Sequence, residues 1–519
     1  MASEYSTRSD IDTAVATSRD TFRGGRTKDV RYRKWQLKQL YWLVADNRTA
    51  FIEALHKDLG RPEFESRLSI KGLEDDIIYH VKHVEQWAKG ETPKSGFLFT
   101  KIGTTHIRHE PRGVVFIIGP WNFPDSLTLA PLAAAIAAGC TALIKPSELA
   151  ANIADLVVRL APKYLDSDSY RVVTGGASET QYMLSHKYDH VFFTGSTPVA
   201  RHVAAAAAKH LTPTVLELGG QCPAIITKSA NVDLAAKRIA AAKFMNAGQI
   251  CLSVNHVFVD SAVHGGFVKR LQHWNQQFTS EGENDTMCTI INERNHARLE
   301  GLLNRTKGKV VYGGTGHDHN LLKMKTTVVD NVSMSDSLLS EELFGPLLPI
   351  IEADYKRAVE IITSMPHPLA LYIFSHDQSE IDYVLNNTLS GGVTINDALL
   401  HAAVPEVPFG GVGDSGMGAY HGKHGFDTFT HKRVVTGMPD WLDRFMGFRY
   451  PPYNLENSSP ITAFPKAPFK RGESLEEQLV GGGGLKVFGV LVVLGGIGAV
   501  AAWVGGVNVG WLVEWIGFR

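Results

Sequence analysis

From residue 110 onward, short β-branched runs alternate with helical stretches, and this alternation restricts the possible folds more than any other feature of the chain. VVFII (114–118) precedes the helical LTLAPLAAAIAAG (127–139), and TALI (141–144) precedes ELAANIADLVVRLAPKYL (148–165). YRVV (170–173), HVFF (190–193) and TVLEL (214–218) follow, with helical stretches between them. Strands that alternate with helices of ten or more residues read as βαβ units, hence a parallel sheet in an α/β fold. Ligands of such sheets bind beyond the carboxyl ends of the strands, so the strand-to-helix turns are the places to search for chemistry. A helical, charge-rich segment of roughly 90 residues precedes this region, and no internal repeat has a fixed period.

Composition narrows the function classes. The chain has 519 residues with 52 Lys+Arg against 53 Asp+Glu, a formal net charge of −1. That length predicts about two to four domains. The charge balance lacks the basic excess of a nucleic-acid binder, so no nucleic-acid partner is expected. Cys140, Cys222, Cys251 and Cys288 are too few for a disulfide framework, which fits a reducing compartment. MASEYSTRSDIDTA at the start has no apolar core, so no secretory signal is expected.

The far end departs from a purely soluble pattern. VFGVLVVLGGIGAVAAWVGGV (487–507) runs 21 residues without a charged side chain. About 20 apolar residues at 1.5 Å each cross a bilayer core, so a C-terminal transmembrane anchor is expected. Lys466, Lys470, Arg471 and Lys486 lie upstream while Glu514 and Arg519 follow, an asymmetry that puts the large N-terminal part on the cytoplasmic side. Five prolines between 451 and 468 and GGGG at 481–484 mark 447–486 as a linker. Trp441, Leu442, Phe445 and Phe448 at helical spacing suggest a helix packed on its own domain or lying on the membrane.

The turns carry the candidate residues. GPWNFP (119–124) offers Asn122, whose amide could donate to a developing oxyanion or serve simply as a turn residue. IKPSE (144–148) offers Lys145 and Glu148 to nucleotide hydroxyls, although Ser147 could equally just cap a helix. FFTGSTPVAR (192–201) places Gly195 and Ser196 at a helix start whose free N–H groups suit a pyrophosphate. Glu217 ends an apolar strand, where a carboxylate is costly without a task or partner. Cys251 follows a Gly-containing turn in NAGQICLS (246–253), a setting in which a thiol can be activated; the other cysteines read as structural. HGKH (421–424) lacks acidic or cysteine companions at zinc-site spacing, so no metal is expected.

Taken in order, PWNFP, IKPSE, FTGSTPVA, LELGG, GQIC, EELFGP and PFGGVGDSG resemble the motifs of NAD(P)-dependent aldehyde dehydrogenases over roughly residues 10–445. PLALYIFS (368–375) and SGGVTINDALLH…GMGAYHGKHGFDTFTHKR (390–433) resemble the class-3, fatty aldehyde branch, some members of which carry a hydrophobic C-terminal anchor. The resemblance implies an NAD-binding domain (1–95 and 113–219) that is doubly wound, and an α/β catalytic domain (220–397). A β oligomerisation arm and C-terminal region (96–112 and 398–446), a linker (447–486) and the anchor (487–507) complete the implied architecture.

It further implies that Cys251 is the nucleophile, that Asn122 and the Cys251 N–H hold the oxyanion, and that Glu217 activates water. Lys145 and Glu148 would contact the adenosine ribose, and Gly195, Ser196 and Thr197 the pyrophosphate. Glu342 and Phe344 would hold the nicotinamide ribose and ring, with Phe409 near the substrate entrance. The implied cofactor is NAD, with NADP possible, and the implied assembly is a homodimer. Endoplasmic reticulum, mitochondrial outer membrane and lipid-droplet surfaces all suit the anchor.

Three positions depart from the family pattern: Gln221 replaces a lysine, Ala200 a glycine, and Asp125 an apolar residue. None removes a catalytic group. Long-chain fatty aldehydes are the expected substrates, with medium-chain or aromatic aldehydes as the alternative. A CoA-acylating enzyme would not need Glu217, and a silent membrane scaffold would not need the set Cys251, Glu217 and Asn122.

Overall fold

The short apolar runs form strands that are buried along their length, as strands covered on both faces must be. The computed structural model describes residues 4–93, 102–279, 287–453, 464–468, 471–472 and 474–475. In chain order the strands are β1 (Thr104–Pro111), β2 (Val114–Ile118), β3 (Thr141–Lys145), β4 (Tyr170–Val172) and β5 (His190–Thr194). Next come β6 (Thr214–Glu217), β7 (Pro223–Ile226), β8 (His256–Val259), β9 (Lys309–Tyr312) and β10 (Thr327–Asp330). The last five are β11 (Leu347–Glu352), β12 (Ala370–Phe374), β13 (Gly392–Ile395), β14 (Gly416–Met417) and β15 (Thr430–Gly437).

Three sheets result among the described residues. The first has the order β14-β6-β5-β2-β3-β4, all parallel except β14. The chain enters at β2, winds outward through β3 and β4, then returns to the other side of β2 through β5 and β6. This reversal makes the β2/β5 boundary the switch point, where a crevice opens beyond the strand ends. The second sheet, β13-β12-β7-β8-β11-β10-β9, is parallel except for β9. The third pairs β1 with β15 antiparallel, from Thr104↔Gly437 to Pro111↔Thr430.

Four helices, Arg8–Arg23, Val30–Ala45, Arg48–Leu59 and Glu63–Ala88, form the charge-rich N-terminal region. Thr7 and Asp10 close a reciprocal capping box at the start of the first. The helix Ser126–Ala138 is hydrophobic on nearly every side and is buried between Glu63–Ala88 and the first sheet. The sequence-derived strands lie within a residue of their observed ends. The helix expected from 148 starts only at Ala151, because residues 146–150 form the turn beyond β3.

Residues Met1–Gly437 make one compact unit and Met438–Arg519 another. In the second, the helical spacing at Trp441–Phe448 resolves into two 3₁₀ turns, Asp440–Phe445 and Gly447–Arg449. Gly447 lies between the apolar positions, and glycine in a helix interior costs about 1 kcal/mol relative to alanine. Trp441 and Phe445 are exposed. Among the described residues no helix is long and apolar enough to cross a membrane. The anchor expected at 487–507 lies outside the described residues, as do 96–101 of the arm and much of the linker.

Candidate active site

The turn beyond β2 delivers Asn122 into the interior. Its side chain is buried, and its Nδ2 donates to the carbonyl of Gln249, 3.1 Å away. The Asn122 carbonyl accepts from Asn246 Nδ2 at 3.1 Å and from the guanidinium of Arg61. Arg61 also donates to Asn246 Oδ1 at 2.9 Å, and Glu65 Oε2 accepts from the Asn246 N–H at 2.9 Å. Two distant segments therefore clamp the loop that leads to Cys251.

That loop is bent unusually tightly. Asn246, Ala247 and Gly248 have φ of 48°, 51° and 69°, three consecutive left-handed residues. Such conformations cost about 1–3 kcal/mol for a non-glycine residue and persist only where the surroundings impose them. Here Gln249 is the anchor: its Nε2 donates to Asn246 and Thr289 carbonyls, and its Oε1 accepts from the Ile291 N–H. A Cβ at Gly248 would collide with the Gly345 carbonyl, which explains glycine at that position.

The loop ends at Cys251, the only partly exposed cysteine of the four. Burial is the main cause that pushes its thiol well above the ordinary range, with the carboxylates of Glu342 and Glu217 and the neighbouring Cys222 adding to the effect. The Leu252 backbone N–H opposes that shift. Cys140, Cys222 and Cys288 are buried, and burial raises each of their thiols too.

Glu217 is the last residue of β6, held between Thr194 of β5 and Gly416 of β14. It is 3% exposed, and neither carboxylate oxygen has a hydrogen-bond partner among the described residues. Burial alone holds its carboxyl far above the usual carboxylate range. An unsatisfied buried carboxyl costs stability, and perturbed groups of this kind cluster at functional sites. Tyr420 is buried within the field of both Glu217 and Cys251, and Phe409 packs edge-on against it at 5.7 Å. Phe409 is thus buried one ring away from the site.

EELFGP supplies Glu342 and Phe344. Burial pushes the Glu342 carboxyl up to about 7, against the opposing Gly220 N–H, Arg298 and Lys243. Arg298 fixes this turn by donating to the carbonyls of Glu342 and Leu343. Phe344 has φ 47° and sets its ring edge-on to Trp121 at 5.2 Å. Lys243, also buried, donates to the Val254 carbonyl at 2.9 Å, and burial lowers its ammonium to about 7.

The remaining candidates line the ends of β3 and β5. Lys145 Nζ meets Glu148 Oε2 at 2.7 Å. Gly195 hydrogen-bonds to the Glu217 carbonyl, and Ser196 is the N-cap of the helix Thr197–Ala208 without using its side chain as a cap. The N–H groups of that first turn are therefore available to an anion, and a Cβ at Gly195 would crowd the Phe193 ring. A Cβ at Gly219 would strike the Glu342 carboxylate. A bare helix start beyond β5, glycines at points of close approach and a Lys–Glu pair beyond β3, on either side of β2, fit a dinucleotide.

The sequence reading missed Arg61, Glu65, Asn246 and Lys243. Asn246 lies in the quoted NAGQIC stretch, but nothing local identifies the other three. Among the departures, Asp125 is buried and accepts from Ser69 Oγ at 2.8 Å. Gln221 donates to the Leu339 carbonyl at 2.9 Å, and Ala200 is buried against the first sheet's core.

A family model described as "Aldehyde dehydrogenase family" matches residues 2–435. The chain is 41% identical over 449 residues to the beta-apo-4'-carotenal oxygenase of Neurospora crassa, covering 86% of this chain and 84% of that protein. It is 38% identical to the rat "aldehyde dehydrogenase, dimeric NADP-preferring", covering 86% and 98%. With rat aldehyde dehydrogenase family 3 member A2 it shares 37% identity, covering 89% and 96%. The substrate-bound structure of Staphylococcus aureus AldH superposes with a TM-score of 0.80 at 36% identity, covering 84% of this chain and 98% of that one. An NAD-dependent aldehyde dehydrogenase from Sinorhizobium meliloti gives 0.77 at 25% identity, covering 84% and 88%.

Proposed function

The chain belongs to the NAD(P)-dependent aldehyde dehydrogenase family, and from that premise we propose that it oxidises long-chain aliphatic aldehydes to acids through covalent catalysis at Cys251. The observation that carries the reading is the buried, unpartnered Glu217 carboxyl within electrostatic reach of the Cys251 thiol.

Burial favours the neutral thiol, so attack requires Cys251 to pass its proton to Glu217, and on to solvent, as the carbon–sulfur bond forms. The thiolate adds to the aldehyde carbon and gives a thiohemiacetal. Its oxyanion is held by Asn122 Nδ2 and the Cys251 N–H, donors that the Gln249 and Arg61 contacts pre-position. Held at its nicotinamide end by Glu342 and Phe344, NAD(P)⁺ would supply the hydride acceptor that lets the Cys251 thiohemiacetal become a thioester. Glu217, whose raised basicity suits a general base, takes a proton from water as the water attacks the thioester. The acid departs and the thiol is restored.

Lys145 and Glu148 would hold the adenosine ribose, Gly195, Ser196 and Thr197 the pyrophosphate, and Glu342 and Phe344 the nicotinamide end. Within this reading, 1–95 and 113–219 bind the cofactor, 220–397 carry the catalytic cysteine, and 96–112 with 398–446 form the arm. The name of the rat dimeric relative supports a homodimer, and the β1–β15 ribbon is a natural element for it. The 21-residue apolar run at 487–507 supports a membrane anchor with the body facing the cytosol, at the endoplasmic reticulum or another cytosol-facing lipid surface. Anchoring raises the local concentration of aldehydes that partition into lipid. Similarity to a relative named for a carotenal is consistent with a large apolar substrate.

The test is NAD(P)H formation by the full chain with hexadecanal, hexanal and benzaldehyde, beside Cys251→Ala. A kcat/KM preference for hexadecanal that the variant abolishes is expected. Equal or better turnover of benzaldehyde would overturn the fatty substrate, and turnover retained in Cys251→Ala would overturn the mechanism.

A further inference from the structure

A second cluster of chemistry-bearing side chains lies apart from this site, on the helix Glu293–Arg305 and the turn that follows β9. His296 and Glu300 are four residues apart and so share one helix face. His319, in the turn GHDHN (316–320), reaches that face. One ligand atom from each of the three residues lies within 4.8 Å of the others. His319 Nε2 is 3.2 Å from Glu300 Oε1, and the His296 and His319 rings are 4.6 Å apart, centre to centre.

We propose that His296, Glu300 and His319 form a binding site for a divalent transition-metal ion, with Zn²⁺ as its best-suited occupant. Two imidazoles and one carboxylate are an N,N,O donor set that zinc accepts, leaving a position for water.

The state of His296 separates this reading from a plain surface ion pair. The residue is 1% exposed, its Nε2 lies 3.3 Å from the Lys323 carbonyl, and its Nδ1 has no partner among the described residues. A backbone carbonyl on one ring nitrogen fixes the tautomer and turns the other nitrogen into a lone-pair donor, the arrangement found behind metal-bound histidines. An imidazole buried for packing alone gains nothing from an unsatisfied Nδ1.

His317 adds a further buried nitrogen without a partner, Nε2, with its ring 6.4 Å from that of His296. Lys325 supplies the positive charge beside Gly316 that the site has to tolerate, while Lys323 Nζ donates to the Met287 carbonyl. Zinc holds its donors at about 2.0–2.2 Å, which sets tetrahedral donor atoms about 3.4 Å from one another; His319 Nε2 and Glu300 Oε1 already have that spacing, and the His296 ligand atom lies within 4.8 Å of both. The sequence reading sought ligands at HGKH; this cluster joins two segments separated by a strand and was not legible there.

The test uses the full chain in mild detergent, stripped with a chelator and titrated with Zn²⁺ against a fluorescent competitor. Cys251→Ala serves as the background that removes the reactive thiol. One equivalent of Zn²⁺ should bind in both wild type and Cys251→Ala. His319→Ala and Glu300→Gln, neither of them buried, should each weaken binding at least about 10-fold. Bound Co²⁺ should give ligand-field bands without the charge-transfer band of a thiolate. Failure to bind, unchanged binding in those two variants, or loss confined to Cys251→Ala would overturn the proposal. None of these outcomes depends on whether the enzyme oxidises aldehydes.

Discussion

The carboxylate of Glu342 occupies the space where a side chain at Gly219 would begin. Glycine beyond the strand that ends in Glu217 thus lets the Glu342 carboxylate, which we propose holds the nicotinamide ribose, close onto that strand. The Glu342 carboxyl, raised to about 7 by that enclosure, also accepts from the Gly220 N–H. Gly219→Ala should displace Glu342 and lower kcat by about 100-fold, the scale expected for a misplacement of roughly an ångström. Steady-state kinetics with circular dichroism as the control for folding reads this out. An unchanged kcat would mean that Glu342 does no positioning.

Asn122 should contribute mainly in the transition state, since its Nδ2 is already fixed by the Gln249 carbonyl before any substrate arrives. Asn122→Ala should reduce kcat by about 10²–10³-fold with little change in KM, as loss of one oxyanion donor does elsewhere. A rise in KM at constant kcat would instead make it a binding residue.

Acid should destabilise the protein through two buried imidazoles. His190 and His256 are held neutral by burial, each lowered from 6.5 to about 3, with Arg112 and Lys243 as lesser causes. The unfolded chain takes up protons below pH 6.5 that the folded chain refuses until about 3, so stability falls as pH drops through that window. Near pH 5 each contributes about 2 kcal/mol of this loss. His190→Leu should shrink the difference in denaturant stability between pH 7.5 and pH 5 by that amount. An unaltered difference would mean that His190 is already charged in the fold.

The parallel sheets were legible because strands buried on both faces must be continuous runs of β-branched and aromatic residues, as in VVFII and HVFF. β14 was not, since Gly416–Met417 is only two residues and pairs with Glu217 through a partner 199 positions away in the chain. Cys251, Glu217 and Asn122 stood out because each is a reactive type at a strand end or a glycine turn. Arg61 and Glu65 did not, because a charged residue in a helical, charge-rich segment looks solvated until the fold buries it against Asn246. Lys243 was hidden likewise by the alanine-rich helix that carries it into the interior. At Trp441–Phe448, apolar spacing alone suggested a helix, whereas the backbone settles into two 3₁₀ turns.

In the proposed reaction Cys251 carries the acyl group and Glu217 drives its hydrolysis. The most direct measurement is intact and peptide mass spectrometry of Glu217→Gln, quenched in acid after mixing with NAD⁺ and hexanal. Slowed hydrolysis should leave a C6 acyl thioester on the peptide containing Cys251, formed with one equivalent of NADH and followed by turnover reduced about 10²–10⁴-fold. NADH formed without acylation of Cys251, or acyl groups found on Cys140, Cys222 or Cys288 instead, would overturn the assignment of Cys251 as nucleophile.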